Sequence, residues 1–291
     1  MTSPDAVLDW QALPARTAPY AEVIGDPISH SKSPLIHNFW IETLGLDAHY
    51  RAAHVTPDTL AAYVAARSAD PHWRGANVTI PHKVAVTELV ADPGKVGQSI
   101  GAMNTLFRVE DGLRSEDGSI AGTNTDAAGF VSPLLAAGWE GTSAAIVGSG
   151  GAARAMLFGL KQIGVTDFTI IARNALKAMG LLSQIGVKGR VIGFDAPLPP
   201  VALLANASPM GMKGQDTYAP DLSPLPKDAV VYDAVYAPLE TPLLAAADTA
   251  GLAVVDGLEM LVGQAAAAFA IFFGVEAPRE HDDELWALLT A

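Results

Sequence analysis

The chain has 291 residues, half of them hydrophobic and 17% charged, which excludes a disordered protein and gives length for two domains with a core each. Its net charge of −13 argues against a nucleic-acid binder, whose affinity rests on neutralising phosphates, but leaves room for a small anionic ligand in a local basic pocket. With no cysteine, disulfides, thiolate metal sites and thiol catalysis are all excluded.

In chain order, residues 1–18 read as a loose leader rich in proline, and acidic Asp5 and Asp9 speak against a signal peptide. Ala21 to Gly25 reads as a strand ending in a glycine. Ser33 is expected to cap the next helix, with Pro34 at its first position and no capping role for Ser31. His49 to His54 is a second strand, and Thr56 is expected to cap a helix through Leu60, Tyr63 and Val64. Ala76 to Thr79 is a short strand, and Pro81 is expected to open another helix with Lys83 on its first turn. A cation is electrostatically out of place there. The alternation predicts an α/β domain with a largely parallel sheet.

A second unit begins near Asp126. Ser143 to Val147 is a continuous apolar strand, as expected where helices cover both sheet faces. The following helix shows Ala153, Met156, Leu160 and Ile163 on one stripe. Strands at Phe168–Ile171, Val191–Phe194, Ala202–Ala205, Val230–Tyr232 and Ala253–Val255 complete a doubly wound, Rossmann-type dinucleotide fold, with a helix through Leu176 and Leu181 after the second of its six strands. The last helices, from Leu258, are expected to return to the first domain. Residues 1–125 and 258–291 then form a substrate domain, and residues 126–257 a cofactor domain. The longest apolar stretch, Leu261 to Val275, is interrupted by Gln264 and too short to span a bilayer. It predicts a buried helix, no membrane partner and a cytoplasmic protein.

Four polar segments carry the chemistry. Gly25 to Pro34, Asn77 to Lys83 and Asn124 to Asp126 offer hydroxyls, amides, an ammonium and a carboxylate, which suit a polyhydroxylated acid. The fourth, Gly148, Ser149, Gly150, Gly151 and Ala152, lies between a buried strand and an amphipathic helix, where bare backbone can approach a pyrophosphate. After the next strand, where an acidic residue would select NAD, stand Ala172, Arg173, Asn174 and Lys177. Arg173 can fork onto a 2′-phosphate and Lys177 adds a second charge, which points to NADP. Ser31 and Ser33 beside a helix N-terminus suit a carboxylate. Hydride transfer from a secondary alcohol needs a group that takes the hydroxyl proton, and Lys83 oriented by Asp126 can do so. No histidine pair or acidic cluster suggests a metal.

The ordered set Ser31–Ser33, Asn77–Lys83, Gly101–Thr105, Asn124–Asp126, Gly148–Ala152, Asn206–Met212 and Met260–Ala265 resembles the motifs of the shikimate dehydrogenase family, over essentially Tyr20 to Gly274. The resemblance implies NADP-linked interconversion of shikimate and 3-dehydroshikimate in aromatic amino-acid biosynthesis. It implies Lys83 as acid/base paired with Asp126. Ser31, Ser33, Asn77, Thr79, Asn104, Tyr236 and Gln264 would hold the carboxylate and hydroxyls, and Gly257 would lie near the nicotinamide. One departure is Ala172-Arg173-Asn174 where the family usually reads Asn-Arg-Thr; the Asn174 amide would replace the threonine hydroxyl. A quinate or aminoshikimate dehydrogenase and a catalytically silent dinucleotide sensor stay open as alternatives. The expected partner is a small-molecule substrate, and the expected assembly a monomer or homodimer.

Overall fold

The computed structural model describes residues 8–109 and 120–290. The chain forms two compact units, Met1–Thr125 with Ala265–Ala291, and Asp126–Gln264. The first unit runs β1 (Tyr20–Gly25), α1 (Ser33–Thr43), β2 (His49–His54), α2 (Leu60–Ser68), β3 (Trp73–Val78), α3 (Val96–Ile100), β4 (Thr105–Arg108) and β5 (Ile120–Thr123). Its sheet has the order β2-β1-β3-β4-β5, with β1 parallel to β2 and β3, and β4 antiparallel to both β3 and β5. Trp73, Tyr63, Tyr20, Ile24 and Leu106 fill its core. Gly75 has a packing reason: a Cβ there would meet the Phe272 ring at 2.4 Å.

The second unit runs α4 (Asp126–Ala136), β6 (Ser143–Val147), α5 (Gly151–Gln162), β7 (Asp167–Ile171), α6 (Ala175–Ile185), β8 (Gly189–Ile192), β9 (Leu203–Asn206), β10 (Val230–Asp233), α7 (Pro242–Thr249) and β11 (Ala253–Val255). Helix α8 (Gly257–Phe273) begins here, and α9 (Asp282–Thr290) belongs to the first unit. Among the described residues the sheet has six strands, order β11-β10-β9-β6-β7-β8, every neighbouring pair parallel. This is the doubly wound order, with its switch point between β6 and β9. Alternation explains the apolar run of β6. Ala144 and Ile146 face one core with α5, while Ala145 and Val147 face the other with α7, so no position faces water.

Several local expectations need correcting. Of the leader, residues 1–7 lie outside the described residues, but Trp10 is buried in a short 3-10 turn, edge-on to Tyr63 at 5.7 Å. One indole supplies enough apolar area to dock a proline-rich segment. Thr56 is not a cap; Thr59 occupies that position and its hydroxyl accepts from the Thr56 N–H. Pro81 opens a turn followed by a 3-10 helix at Ala85–Glu88, not an α-helix, so no helix dipole opposes Lys83. Helix α6 does pass through Leu176 and Leu181 as expected, with Leu176 84% exposed and Ala178, Leu181, Leu182 and Ile185 forming the buried stripe. The boundary near the C-terminus falls inside α8, between Gln264 and Ala265, rather than at Leu258. The first turns of α8 stay with α4 because Gly129 and Gly263 let the two backbones meet; a Cβ on Gly129 would lie 2.5 Å from the Gln264 nitrogen.

Candidate active site

Sheet register gathers the polar residues of the first unit. β1, β2 and β3 are parallel, so their C-terminal ends share an edge, and the loops holding Ser31, Ser33, Thr79 and Lys83 leave from it. β4 runs the other way, with Thr105 opposite both Asn77 and Thr123, so Asn104 before it and Asn124 after β5 reach the same edge. The Thr125 N–H donates to Asn104 Oδ1 at 2.6 Å, and Asn104 Nδ2 donates to Thr125 Oγ1 at 3.0 Å. Asn124 Nδ2 donates to the Ala102 carbonyl at 2.9 Å. These bonds fix the segment that leads into Asp126, which is buried in the first turn of α4.

Lys83 is held through its neighbours. The Met103 N–H donates to the Lys83 carbonyl at 2.7 Å, and buried His82 places Nε2 2.7 Å from the Val55 carbonyl. Ser33 does not cap α1. Lys32 holds the N-cap position without a side-chain bond, and Ser31 Oγ accepts from the Ser33 N–H at 3.3 Å. The capping contact therefore belongs to Ser31, contrary to the expectation. The Lys32 ammonium between the serines donates to the Leu289 carbonyl at 2.7 Å, which closes the last turn of α9.

Asn77 is the most telling side chain of this edge. Tyr50 O–H donates to its Oδ1 at 2.6 Å, whereas its buried Nδ2 has no hydrogen-bond partner among the described residues. Burial and then the Glu22 charge push the Tyr50 hydroxyl well above its ordinary range, with a hydrogen bond to Ser33 acting the other way. Tyr50 therefore remains a donor. Leaving a buried amide donor unpaired costs about 1–3 kcal/mol, which a ligand oxygen would recover.

In the second unit all strand C-termini share one edge, where the glycine turn follows β6. Gly148 has φ +105°, a left-handed backbone that favours glycine, and a Cβ there would crowd the Ala207 carbonyl at 3.3 Å. Gly150 is exposed at the N-cap of α5, with nothing within 4 Å of the place a Cβ would take. That combination fits a diphosphate against the helix N-terminus. Ser149, Gly151 and Ala152 stand half-buried around it. Ala172 is buried where β7 ends, and Arg173 and Lys177 are exposed at the start of α6. Asn174 caps α6, its Oδ1 accepting from the Lys177 N–H at 3.0 Å.

The model for the shikimate dehydrogenase substrate binding domain matches residues 23–106, and that for the shikimate 5'-dehydrogenase C-terminal domain matches residues 257–282. A shikimate dehydrogenase (NADP(+)) of Sphingopyxis alaskensis is 59% identical over 94% of this chain and 98% of its own length. The chain belongs to the shikimate dehydrogenase family. Shikimate 5-dehydrogenase from Thermus thermophilus, solved with NADP(H) and shikimate, superposes with a TM-score of 0.81 at 31% identity, over 93% of this chain and 99% of that one. Quinate dehydrogenase from Corynebacterium glutamicum, solved with NAD, gives 0.82 at 26% identity, over 93% and 99%.

For a member of this family the remaining expected residues fall as follows. Tyr236 follows β10 and is half-buried, and burial raises its hydroxyl pKa. Its loop is braced by fully buried Asp233, which accepts from Asn206 Nδ2 at 2.8 Å and Thr241 Oγ1 at 2.7 Å. Burial raises the Asp233 pKa, against the pull of those bonds. Gln264 is buried on α8 and belongs with Tyr236 to the second unit. Gly257 has a structural reason of its own, since a Cβ would meet the Ala234 and Val235 carbonyls at 2.5 Å. Tyr50, whose hydroxyl bonds Asn77, was not singled out by sequence reasoning. The sequence signal for it was a phenol on a strand that must be buried, where its hydroxyl needs a partner.

Proposed function

We propose that the chain interconverts 3-dehydroshikimate and shikimate with NADP(H), a step of aromatic amino-acid biosynthesis. The observation that carries this reading is the convergence of Ser31, Ser33, Asn77, Thr79, Lys83 and Asn104 on one sheet edge, in a chain of this family. Lys83 is the acid/base. In oxidation its amine takes the carbinol proton at Nζ, and in reduction its ammonium returns that proton to the carbonyl oxygen. Asp126 is its carboxylate partner and keeps Nζ oriented. Bound NADP supplies the hydride acceptor. Ser31 and Ser33 hold the ring carboxylate through their hydroxyls. The orphaned Nδ2 of Asn77 supports a bond to a ring hydroxyl, and Thr79, Asn104, Tyr236 and Gln264 hold the others.

On the cofactor side, the open face at Gly150 and the left-handed backbone of Gly148 support a pyrophosphate over Gly148–Ala152. Ala172, Arg173, Asn174 and Lys177 take the adenosine end. Asn174 Oδ1 is already committed to capping, so its Nδ2 is the group left for the ligand. Gly257 borders the nicotinamide. Most of the proposed substrate residues thus belong to the first unit, and the proposed cofactor residues to the second. Among the described residues no helix is long and apolar enough to cross a membrane; the proposed setting is the cytoplasm, as monomer or homodimer.

Purified protein given shikimate and NADP should raise the nicotinamide absorbance, and quinate with NAD should do so far more slowly. Lys83→Ala should lower kcat by about 10²–10⁴-fold with a smaller change in KM. Turnover only with quinate would reassign the substrate, and unchanged kcat in the variant would remove Lys83 from the mechanism.

A further inference from the structure

Asp233 is a fully buried carboxylate of the second unit that the scheme above leaves without a chemical role. Register explains what it meets. Val147, Asn206 and Asp233 are the last residues of three neighbouring parallel strands, β6, β9 and β10, and they stand in line across the sheet. Asn206 and Asp233 therefore point to the same face, one strand apart. The glycine turn leaves from Val147, and the loop that carries Tyr236 leaves from Asp233.

The two oxygens of Asp233 hold that loop at both ends. Oδ1 accepts from the Val235 N–H at 3.0 Å, beside Tyr236, and Oδ2 accepts from Thr241 Oγ1 at 2.7 Å, where the loop enters α7. Oδ1 also accepts from Asn206 Nδ2 at 2.8 Å. Asn206 in turn folds the loop after β9 round itself. Its Oδ1 accepts from the Ser208 N–H at 3.0 Å and from Ser208 Oγ at 2.7 Å, and its Nδ2 donates to the Met210 carbonyl at 2.9 Å. That loop lies against the glycine turn. The Ala207 N–H donates to the Val147 carbonyl at 2.9 Å, and a Cβ on Gly148 would stand 3.3 Å from both the Ala207 carbonyl and Ser208 Cβ. Burying a carboxylate costs stability unless its oxygens are bonded, and an apolar residue could end β10 without that cost. Stability by itself does not account for the acid.

We propose that Asp233 is a positioning residue for both halves of the site: through Val235 and Thr241 it sets Tyr236 for the substrate, and through Asn206 it sets the backbone on which the glycine turn packs. Being fully buried, it acts through these bonds and not by contact with a ligand. All three partners donate, so the position calls for an acceptor with two oxygens, and asparagine supplies most of that.

The inference rests on Tyr236 as a substrate residue and on the glycine turn as the cofactor site, and the test separates it from both. KM for shikimate, and Kd for NADPH from titration of its fluorescence without substrate, would be measured with melting for each variant. Asp233→Ala should raise both constants about five- to tenfold, the worth of one hydrogen bond, with kcat changing less than KM. Asp233→Asn keeps an oxygen for Asn206 and Val235 and turns an NH2 toward Thr241 Oγ1, so it should recover most of both losses. Thr241→Val cuts the far bond of the Tyr236 loop together with the α7 cap. It should raise KM for shikimate and leave Kd for NADPH within about twofold; Asn206→Ala should do the reverse. In a Tyr236→Phe background, Asp233→Ala should add nothing to KM for shikimate and still weaken NADPH. The proposal is overturned if Asp233→Ala lowers Tm with both constants unchanged, or if Thr241→Val and Asn206→Ala shift both constants alike. Those last two variants decide the matter if Asp233→Ala does not fold. An ordinary KM in Tyr236→Phe would remove Tyr236 from the site and the proposal with it, whereas a raised KM there but not in Asp233→Ala would sink the proposal alone.

Discussion

Arg173 has an exposed guanidinium at the N-terminal end of α6, where the helix dipole repels a cation and only an anion makes the placement favourable. Its assignment to the 2′-phosphate makes a clean prediction. Arg173→Ala should raise KM for NADP about ten- to a hundredfold, the worth of a charge-assisted bond of about 1.5–3 kcal/mol, and leave KM for NAD nearly unchanged. Equal weakening toward both cofactors would mean that Arg173 stacks on the adenine. At this scale the sequence singles out residues whose chemistry stands out, such as Lys83, Arg173 and the two serines, as the ones to test. It was opaque for Tyr50, because a tyrosine in a strand reads as core until its hydroxyl is found 2.6 Å from Asn77.

Between elements, the Ser-Lys-Ser run shows how one loop carries packing contacts beside two proposed substrate residues. Ser31 accepts the Ser33 N–H, and Lys32 ties the start of α1 to the last turn of α9. Ser33→Ala should therefore spare the helix cap, and Ser31→Ala should carry whatever small capping loss there is. Lys32→Met gives the sharper check. Removing a bond from a charged donor to an orphan carbonyl should cost about 1–2 kcal/mol and lower Tm by a few degrees. Its ammonium serves α9, so KM for shikimate should stay within about twofold. A tenfold rise in that KM at unchanged Tm would instead assign the ammonium to the substrate carboxylate. The elements themselves were legible wherever apolar periodicity was long, as in β6 and α5. Caps and short turns were misplaced by a residue or a few, since a serine or threonine near a helix start fits several capping patterns equally well.

At the scale of the whole molecule, buried His37 links protonation to stability. Its imidazole is pushed from an ordinary 6.5 down to about 3 by burial. Between those values the unfolded chain binds a proton that the folded chain does not, so stability is lost as pH falls below about 6.5. At about pH 5 that loss is about 2 kcal/mol. Denaturant unfolding of the parent and His37→Phe at about pH 7 and pH 5 would measure it. The variant should lose about 2 kcal/mol less than the parent on acidification, and equal losses would show that His37 contributes nothing to acid lability.

The order of strands and helices and the glycine turn were set by the sequence itself, because each rests on local periodicity or on a residue type with little alternative use. Tertiary structure decided what depends on register and close approach. Parallel β1–β3 against an antiparallel β4 brings Asn77 and Asn104, far apart in the chain, to one edge. Gly129 and Gly263 keep the first turns of α8 with the second unit, a boundary no composition shift marks. The same holds for Asn77: which end of its amide is satisfied, and which has no partner among the described residues, follows from where the phenol of another strand comes to rest.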